Sequence, residues 1–238
     1  MLGYSSFGPN TSHEKIVLIR GFTQAKEIWS HIAPNLLHEL KVLSPQIISV
    51  DLPGHGESAS EETSLWQAAQ QIVELCGEAT YVGYSLGARV ALHCALQSPS
   101  SVKRLVLCGA TPGLRTGDER EARRNADENI AQTIEQTPLQ DFLKDWTSQA
   151  LFTGYVPDGK DLSARLNNKP SGLAMSLRTM GTGTQEDLWS KLPSLNMPVL
   201  LVTGQDDEKF SHIAQEMKDL LGSSATHAQF PHSGHAVP

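Results

Sequence analysis

The sequence predicts an α/β fold in which a mostly parallel, doubly wound sheet carries an inserted helical cap. Short apolar runs alternate with segments of helical periodicity over the first half of the chain, as strands and helices do around a parallel sheet. The alternation stops between residues 112 and 193, where the segments are polar and helical, and resumes with an apolar run at 197–203. We therefore expect a core formed by residues 1–111 and 194–238, with a cap at 112–193.

The expected strands are short apolar runs. A continuous run such as residues 15–19 is typical of a parallel strand that is buried on both faces. In order, the expected strands are 2–7 at the sheet edge, 15–19, 47–51, 81–84, 104–110, 197–203 and 225–230.

The expected helices have apolar residues three and four positions apart. Residues 27–41 show the pattern, with apolar side chains at Trp29, Ile32, Leu36 and Leu40. The other expected helices are 65–76, the apolar segment after position 85, the cap helices 118–135, 139–150, 161–167 and 171–180, and finally 210–221.

The composition indicates a globular protein with a small-molecule partner. Of the 238 residues, 39% are hydrophobic and 19% are charged, which suits one folded domain with a sizeable core. The net charge of −7 argues against nucleic acid or an anionic membrane as the main partner, but it allows a local basic pocket. No cluster of metal-binding residues is visible, so we expect neither a metal nor another cofactor.

The cysteines and the N-terminal residues indicate the cellular compartment in which the protein is located. Cys76, Cys94 and Cys108 lie in apolar segments and are odd in number, so we expect buried free thiols in a reducing compartment. The N-terminus lacks a basic region followed by a hydrophobic one, and no apolar run reaches the length of a membrane span. We expect a cytoplasmic protein, or one of an organelle lumen if the chain comes from a fused or plant-type protein, rather than a secreted one.

The chain is organised around a strand, a sharp turn and a helix centred on Ser85. The turn has the pattern Gly-x-Ser-x-Gly, with Gly83 and Gly87 on either side of the serine. A tight reversal at the serine would make a side chain at either glycine clash, and it leaves the hydroxyl exposed at the carboxyl end of the sheet. The following helix begins there, so its free N–H groups favour a bound anion.

A reactive serine needs a base and an acid. His235 follows the last expected strand and is the candidate base, and the strand before it ends in Asp206 and Asp207, either of which could orient the imidazole. The order Ser, Asp, His is the one that nucleophile elbows of this kind use. His232 is the less favoured neighbour, and His55 lies too early in the chain, so we expect a structural role for it.

The turn after the strand at 15–19 is a candidate for stabilising negative charge. Gly21 lets the backbone approach the elbow, so the N–H of Phe22 can point at the serine. With the N–H of Leu86 it would form a two-donor oxyanion hole. The alternative interpretation is an ordinary turn.

Arginines are a second signal of function. Arg89 lies four residues after Ser85, on the same face of the helix. A cation such as Arg89 in the first turns of a helix is unfavourable, because it lies near the positive end of the helix dipole. Its neighbours in the sequence are also apolar. We therefore expect Arg89 to pair with an anion, either a protein carboxylate or the substrate. The predicted cap contains six further arginines, namely Arg115, Arg120, Arg123, Arg124, Arg165 and Arg178. Together they predict a polyanionic ligand that arginines bind through bidentate pairs. The alternative is that these side chains lie on solvated helix faces.

The elbow and the cap carry a resemblance to a known family. Residues 83–91, GYSLGARVA, resemble the elbow of the 2-succinyl-6-hydroxy-2,4-cyclohexadiene-1-carboxylate synthase family, lyases of the α/β-hydrolase fold in menaquinone and phylloquinone synthesis. The likeness covers nearly the whole chain and is most specific in the cap. It continues through ATPGL at 110–114, ER at 119–120 with Arg123, FLKDW at 142–146, RLNN at 165–168, DEKF at 207–210 and GH at 234–235.

The resemblance implies roles for individual residues and a reaction. It implies a triad of Ser85, Asp207 and His235, oxyanion donors on the backbones of Phe22 and Leu86, and substrate-binding side chains at Tyr84, Arg89, Arg123, Trp146 and Arg165. The reaction it implies is a 2,5-elimination of pyruvate from 2-succinyl-5-enolpyruvyl-6-hydroxy-3-cyclohexene-1-carboxylate. The serine, deprotonated by the histidine, would act as a base. The several carboxylates of this substrate would account for the arginines.

The chain departs from the family pattern at two places. Arg20 precedes Gly21 and Phe22 where the family usually has histidine, so we expect a bulky cation that alters the pocket. Family members continue with a closing helix, whereas this sequence ends three residues beyond His235. We expect a fragment or truncated product in which the histidine loop frays.

Two other functions are compatible with these residues. A serine hydrolase of an anionic ester or C–C bond substrate would use the same triad, although a typical esterase pocket is apolar rather than cationic. A non-catalytic ligand-binding protein would keep the fold without the chemistry. The early end of the chain and Arg20 favour this last function, and the intact set of Ser, Asp and His disfavours it.

Overall fold

Seven strands form one sheet in the computed structural model, which describes residues 1–152 and 154–236. The strand order is β1-β3-β2-β4-β5-β6-β7, and β1 alone pairs antiparallel with its neighbour. The predicted, mostly parallel sheet with an edge strand at the N-terminus is therefore confirmed. The strands are β1 Tyr4–Phe7, β2 Lys15–Ile19, β3 Gln46–Val50, β4 Ala79–Tyr84, β5 Val102–Cys108, β6 Val199–Gly204 and β7 Ala225–Phe230.

Helices cover both faces of this sheet, as the predicted doubly wound arrangement requires. On one face, Leu18 and Ile47 of the sheet pack in a cluster with Trp29. On the other face, Val17 and Ile19 of β2 belong to a larger cluster with residues from the helices at 65–76 and 86–97. In the described part of the chain the α-helices are α1 Ala33–Glu39, α2 Leu65–Cys76, α3 Leu86–Gln97, α4 Gly117–Gln136, α5 Leu139–Thr147, α6 Gly159–Leu166, α7 Pro170–Met180 and α8 Glu208–Leu221.

The first predicted helix, residues 27–41, is interrupted. The structure has a 3₁₀ helix at Lys26–His31 and then α1 at Ala33–Glu39. Pro34 explains the break, because proline lacks the N–H of an interior helical position and its ring clashes with the preceding turn, whereas the first turn tolerates it. The prediction of one continuous helix was wrong for this reason.

Other element ends follow from capping groups and proline. Helix α2 spans the predicted residues 65–76, because Ser64 and Gln67 form a reciprocal capping box at its N-terminus. Strand β6 begins two residues later than expected, just after Pro198, which has no N–H to give to the ladder. Strand β5 ends at Cys108, and Gly109 then turns the chain with φ of +60°.

Helices α4 to α7 lie between β5 and β6, inside the segment 112–193 that is predicted to be the cap. The described residues of this segment contain no strand, as expected. The four helices match the four predicted cap helices to within a few residues, and three of them supply a small hydrophobic core of their own. That core consists of Ala131, Ile134, Phe142, Leu143, Leu173, Ala174 and Leu177.

The thiols are unpaired, and their burial differs. Cys76 and Cys94 are buried, whereas Cys108 at the end of β5 is half-buried, so the expected burial is only partial there. In the part of the chain that the structure describes, no helix combines the length and the apolar character needed to cross a membrane.

Candidate active site

Ser85 occupies a strained turn between β4 and α3. Its φ of +52° lies in the left-handed region, which is unusual for a residue other than glycine. The two flanking glycines are required because a side chain at either position would collide with backbone atoms. A Cβ at Gly83 would lie 2.3 Å from the carbonyl oxygen of Gly87, and a Cβ at Gly87 would lie 2.3 Å from that of Ile19. The sequence pattern therefore corresponds to a reversal that larger side chains would block.

The structure brings Ser85, His235 and Asp207 together in a hydrogen-bonded chain. His235 Nε2 lies 3.1 Å from Ser85 Oγ, and His235 Nδ1 lies 2.7 Å from Asp207 Oδ2. The second oxygen of this carboxylate accepts the backbone N–H of Phe210 at 3.2 Å. Asp206 is exposed, whereas Asp207 is buried and contacts the imidazole, so the geometry selects Asp207 from the two candidates. This arrangement can move a proton between serine and histidine.

His235 is enclosed by neighbouring groups. Its side chain is buried, its backbone N–H donates to the Leu151 carbonyl at 3.3 Å, and its ring lies 4.3 Å from that of Phe210. A Cβ at Gly109 would lie 2.6 Å from the imidazole, so only glycine leaves room for it. Of the expected frayed end, residues 237 and 238 lie outside the described residues.

The two predicted oxyanion donors belong to residues that line the same cavity as the serine. Leu86 begins α3, so its N–H belongs to the helical turn whose donors have no partner within the helix. Phe22 follows β2 in a turn that is closed by the Gly21 carbonyl and the Gln24 N–H at 3.2 Å. Both residues line the same cavity as Ser85, and their role as donors stays a prediction.

A cavity of about 150 Å³ opens at Ser85 and His235. It is enclosed by residues of the sheet and of the segment between β5 and β6. All five predicted substrate-binding residues reach it, namely Tyr84, Arg89, Arg123, Trp146 and Arg165.

Arg89 is a buried cation at the base of this cavity. Its Nη1 donates to the carbonyl of Met180 at 2.8 Å and to Oε1 of Gln185 at 3.3 Å. Among the described residues, no carboxylate forms an ion pair with Arg89. Burial, aided by the neighbouring positive charge of Arg123 and opposed by Asp127, lowers the pKa of Arg89 to about 9. A bound anion would offset this cost of burying the charge.

Arg123 and Arg165 reach the cavity from helices of the predicted cap. Arg123 Nε is held by Asp127 at 2.8 Å, with part of the side chain exposed. Arg165 is buried, pairs with Asp161 at 2.8 Å and also donates to Thr23 and Tyr155. Both guanidinium groups are positioned by carboxylates of their own helices, one turn away.

The other cap arginines lie outside this cavity and contact protein groups; the alternative of solvated helix faces suits the exposed Arg124, but not Arg115, which precedes α4, or the half-buried Arg120. Arg178 pairs with Glu128 and Glu135, and Arg115 pairs with Glu216. Arg120 and Arg124 donate to backbone carbonyls of Leu114 and Gly183. None of these four lines the cavity at Ser85.

Arg20 does not line this cavity either, and its expected effect on the pocket stays a prediction. Its guanidinium lies 3.4 Å above the ring of Trp29 and faces a second cavity. His55 has its two ring nitrogens occupied by Pro53 O and the Thr23 N–H, at 3.1 and 3.3 Å, which agrees with the predicted structural role. His232 is exposed.

The sequence pattern did not indicate Gln185 or Asp127, which contact the site arginines from a loop and from α4. A lone glutamine or an aspartate one turn from an arginine carries no distinctive signal. Within residues 1–152 and 154–236, no three His, Cys, Asp or Glu side chains are grouped as a metal site requires.

Comparisons with known proteins identify relatives of the chain. Residues 15–238 match the alpha/beta hydrolase fold family. The chain is 35% identical over 97% of its length to a Bacillus subtilis (strain 168) protein, covering 86% of that protein, which carries the provisional name 2-succinyl-6-hydroxy-2,4-cyclohexadiene-1-carboxylate synthase. It is 29% identical over 92% of its length to the Enterobacter sp. (strain 638) protein of that name, covering 84% of it.

Solved structures extend the comparison. MenH from S. aureus superposes with a TM-score of 0.86 at 27% identity, covering 98% of this chain and 91% of that one. A carboxylesterase from Nitrososphaera gargenis has a TM-score of 0.79 at 16% identity, covering 98% and 87%, which shows the shared fold alone. The fold, the match over nearly the whole chain and these relatives together lead to one conclusion: the chain belongs to the 2-succinyl-6-hydroxy-2,4-cyclohexadiene-1-carboxylate synthase family, within the α/β-hydrolase fold.

Proposed function

We propose that the chain eliminates pyruvate from 2-succinyl-5-enolpyruvyl-6-hydroxy-3-cyclohexene-1-carboxylate, as a lyase of menaquinone or phylloquinone synthesis. The product is 2-succinyl-6-hydroxy-2,4-cyclohexadiene-1-carboxylate. Membership of the family supports the reaction. The observation that carries the proposal is a hydrogen-bonded chain of Ser85, His235 and Asp207 that opens on a cavity with a buried arginine lacking a carboxylate.

In this proposal Ser85 acts as the base. His235 takes the proton of the serine hydroxyl, and Asp207 stabilises the imidazolium that forms. The serine oxygen removes a proton from ring carbon 2. The electron pair of the broken C–H bond forms a double bond between carbons 2 and 3. The original double bond then moves from carbons 3 and 4 to carbons 4 and 5, and the bond from carbon 5 to oxygen breaks. The oxygen leaves as the enolate of pyruvate, which regains a proton on carbon.

The surrounding charges would stabilise the anionic substrate and the negative charge that develops on it. Carbanion charge next to the succinyl ketone spreads to the ketone oxygen, for which the N–H groups of Phe22 and Leu86 are the proposed donors. Arg89, Arg123 and Arg165 would bind the carboxylates as charged donors. Residues 112–193 would serve as the cap that encloses this polycarboxylate, with Tyr84 and Trp146 as apolar contacts.

Hydrolysis of an anionic ester is the second candidate. The hydrogen-bonded serine and histidine would equally suit attack on an acyl carbon. The cationic wall opposes only the hydrolysis of neutral esters, from which Arg89 would gain little, so membership of the family is what favours the lyase over an anionic-ester hydrolase.

One pair of assays separates the two candidates. Wild-type protein is incubated with the cyclohexene substrate, and pyruvate is followed with lactate dehydrogenase. A parallel sample receives mono-p-nitrophenyl succinate, which is an anionic ester. We expect rapid pyruvate release and slow ester cleavage. Rapid ester cleavage by folded protein that releases no pyruvate would overturn the lyase proposal in favour of a hydrolase.

Arg89→Gln tests the electrostatic part of the proposal. A hydrogen bond to a charged group is worth about 1.5–3 kcal/mol, so kcat/KM for pyruvate release should fall about 10- to 100-fold. Arg124→Gln is the matched control, since Arg124 is a cap arginine outside the cavity, and it should stay within about 2-fold of wild type. Equal losses in both variants would contradict a specific role for Arg89.

A further inference from the structure

A second cavity adjoins the one that opens at Ser85. It has a volume of about 300 Å³ and shares four wall residues with its neighbour, Gln24, Tyr84, Phe152 and Arg165. The remaining wall includes apolar side chains of Ile28, Ile32 and Val156 together with Arg20. The two cavities therefore meet at the same side chains, and a ligand arm could extend from one into the other.

Arg20 is a buried cation whose donors are largely unused. It follows β2, and only 3% of its surface is exposed. Among the described residues, neither Nε nor Nη2 has a hydrogen-bond partner, and no carboxylate pairs with the guanidinium. Burial lowers the pKa of Arg20 to about 9, an effect that the charge of Asp161 opposes.

The acidic groups near Arg20 are already engaged. Asp161 accepts from Arg165 Nε at 2.8 Å and from the Tyr155 hydroxyl at 2.5 Å. Asp158 lines the same cavity and caps α6 by accepting the backbone N–H groups of Lys160 and Asp161. Each carboxylate thus has donors other than Arg20.

The geometry of Arg20 suits a planar anion. Its stacking on the Trp29 ring holds the guanidinium by one face and uses none of its N–H groups. Nε and Nη2 form one edge of the guanidinium, and their parallel N–H bonds match the two oxygens of a carboxylate. Both nitrogens are sealed from solvent, so binding at this edge requires neighbouring side chains of the wall to shift.

We propose that the second cavity is a subsite for a short aliphatic carboxylate, with Arg20 as its cationic group. The apolar walls at Ile28 and Ile32 would enclose the methylene groups, and the arginine edge would bind the carboxylate. That this carboxylate is an arm of the substrate reacting at Ser85 rests on the proposed function; the binding of a free carboxylate does not.

Succinate is the probe, and its binding to wild-type protein is measured by isothermal titration calorimetry. We expect saturable binding that weakens at least about 10-fold in Arg20→Gln, and little binding of the neutral analogue succinamide. Ile28→Trp fills the cavity without altering Arg20, so it should weaken succinate binding by a similar factor even if Arg20→Gln proves unstable. Arg104→Gln, an exposed arginine on β5, is the control that should bind like wild type.

Two results would overturn the subsite. One is an absence of saturable succinate binding to wild type, and the other is wild-type affinity in folded Arg20→Gln or Ile28→Trp. Pyruvate release is measured separately on the same protein. A chain that binds succinate through Arg20 but releases no pyruvate refutes only the proposed function, and the reverse result refutes only the subsite.

Discussion

His235 is fixed at both ring nitrogens, and this determines how it can act. Because Asp207 lies 2.7 Å from Nδ1, the imidazole carries its proton there and presents Nε2 to Ser85. Asp207 is itself oriented by the backbone N–H of Phe210. The acid thus selects the tautomer that can accept the serine proton.

Asp207→Asn should cause a large loss of activity with little change in fold. An amide at this position stabilises the wrong tautomer, so kcat for pyruvate release should fall about 10³- to 10⁴-fold while the melting temperature changes little. Asp206→Asn is the matched control, because that neighbouring side chain is exposed. If both variants lost activity equally, Asp207 would not be the orienting acid.

At the residue scale, motifs and periodicity predicted which residue types meet, whereas only the family resemblance selected Asp207, Arg123 and Arg165 among the copies. The pattern alone could not decide whether Asp206 or Asp207 orients the imidazole, because the side chains of adjacent residues at a strand end point in different directions and the sequence does not show which one faces His235. Of the cap arginines, Arg123 and Arg165 reach the cavity and the others do not. This division depends on how the cap helices pack, which single-helix periodicity does not determine.

At the element scale, the turn from β4 into α3 has the tightest steric requirement. The contact distances at Gly83 and Gly87 involve backbone atoms, which cannot move aside as a flexible side chain would. The pattern of glycines was readable from the sequence because its cause is local. The cause of the helix break at Pro34 was local too. The apolar periodicity continues on both sides of this proline, however, and so it predicted one uninterrupted helix.

Gly83→Ala should destabilise the protein and displace Ser85. The added methyl group would lie 2.3 Å from the Gly87 carbonyl, so the turn must open, at a cost of about 3 kcal/mol or more in the free energy of unfolding by urea. Gly117→Ala, where a Cβ meets no atom within 4 Å, should be neutral or slightly stabilising. Equal effects of the two substitutions would show that the elbow is not sterically constrained.

At the scale of the whole molecule, two histidines are buried in neutral form, His55 in the loop after β3 and His93 in α3. His55 donates from Nδ1 to Pro53 O, and His93 in α3 donates from Nδ1 to Arg89 O at 2.7 Å. Burial lowers the pKa of each to about 4 from 6.5. The unfolded chain therefore binds protons at a higher pH than the folded one.

This difference predicts acid sensitivity. Above pH 6.5 both states carry neutral imidazoles, and as the pH falls toward 4 the unfolded state alone gains protons, so each histidine costs the fold about 3 kcal/mol. The free energy of unfolding by urea should thus decrease between pH 6.5 and 4. His55→Gln should lower stability at pH 7 but flatten this dependence, whereas exposed His38→Gln should not. An unchanged pH slope in His55→Gln would contradict this explanation.

The position of the site residues at the strand ends explains why the function was accessible from sequence. The serine, acid and histidine lie at the carboxyl ends of β4, β6 and β7, where a parallel sheet brings loops together. The second cavity was not predictable, because its wall combines the end of β2 with residues more than a hundred positions away along the chain.

Pyruvate release in a single turnover, compared between wild type and Ser85→Ala, tests the central claim most directly. If Ser85 is the base, its removal should slow release about 10²- to 10⁴-fold, the usual contribution of a positioned acid or base. Ser148→Ala, an exposed serine of the predicted cap, should release pyruvate at the wild-type rate. Release by folded Ser85→Ala within a few-fold of wild type would show that another group removes the proton, and the proposed mechanism would be wrong.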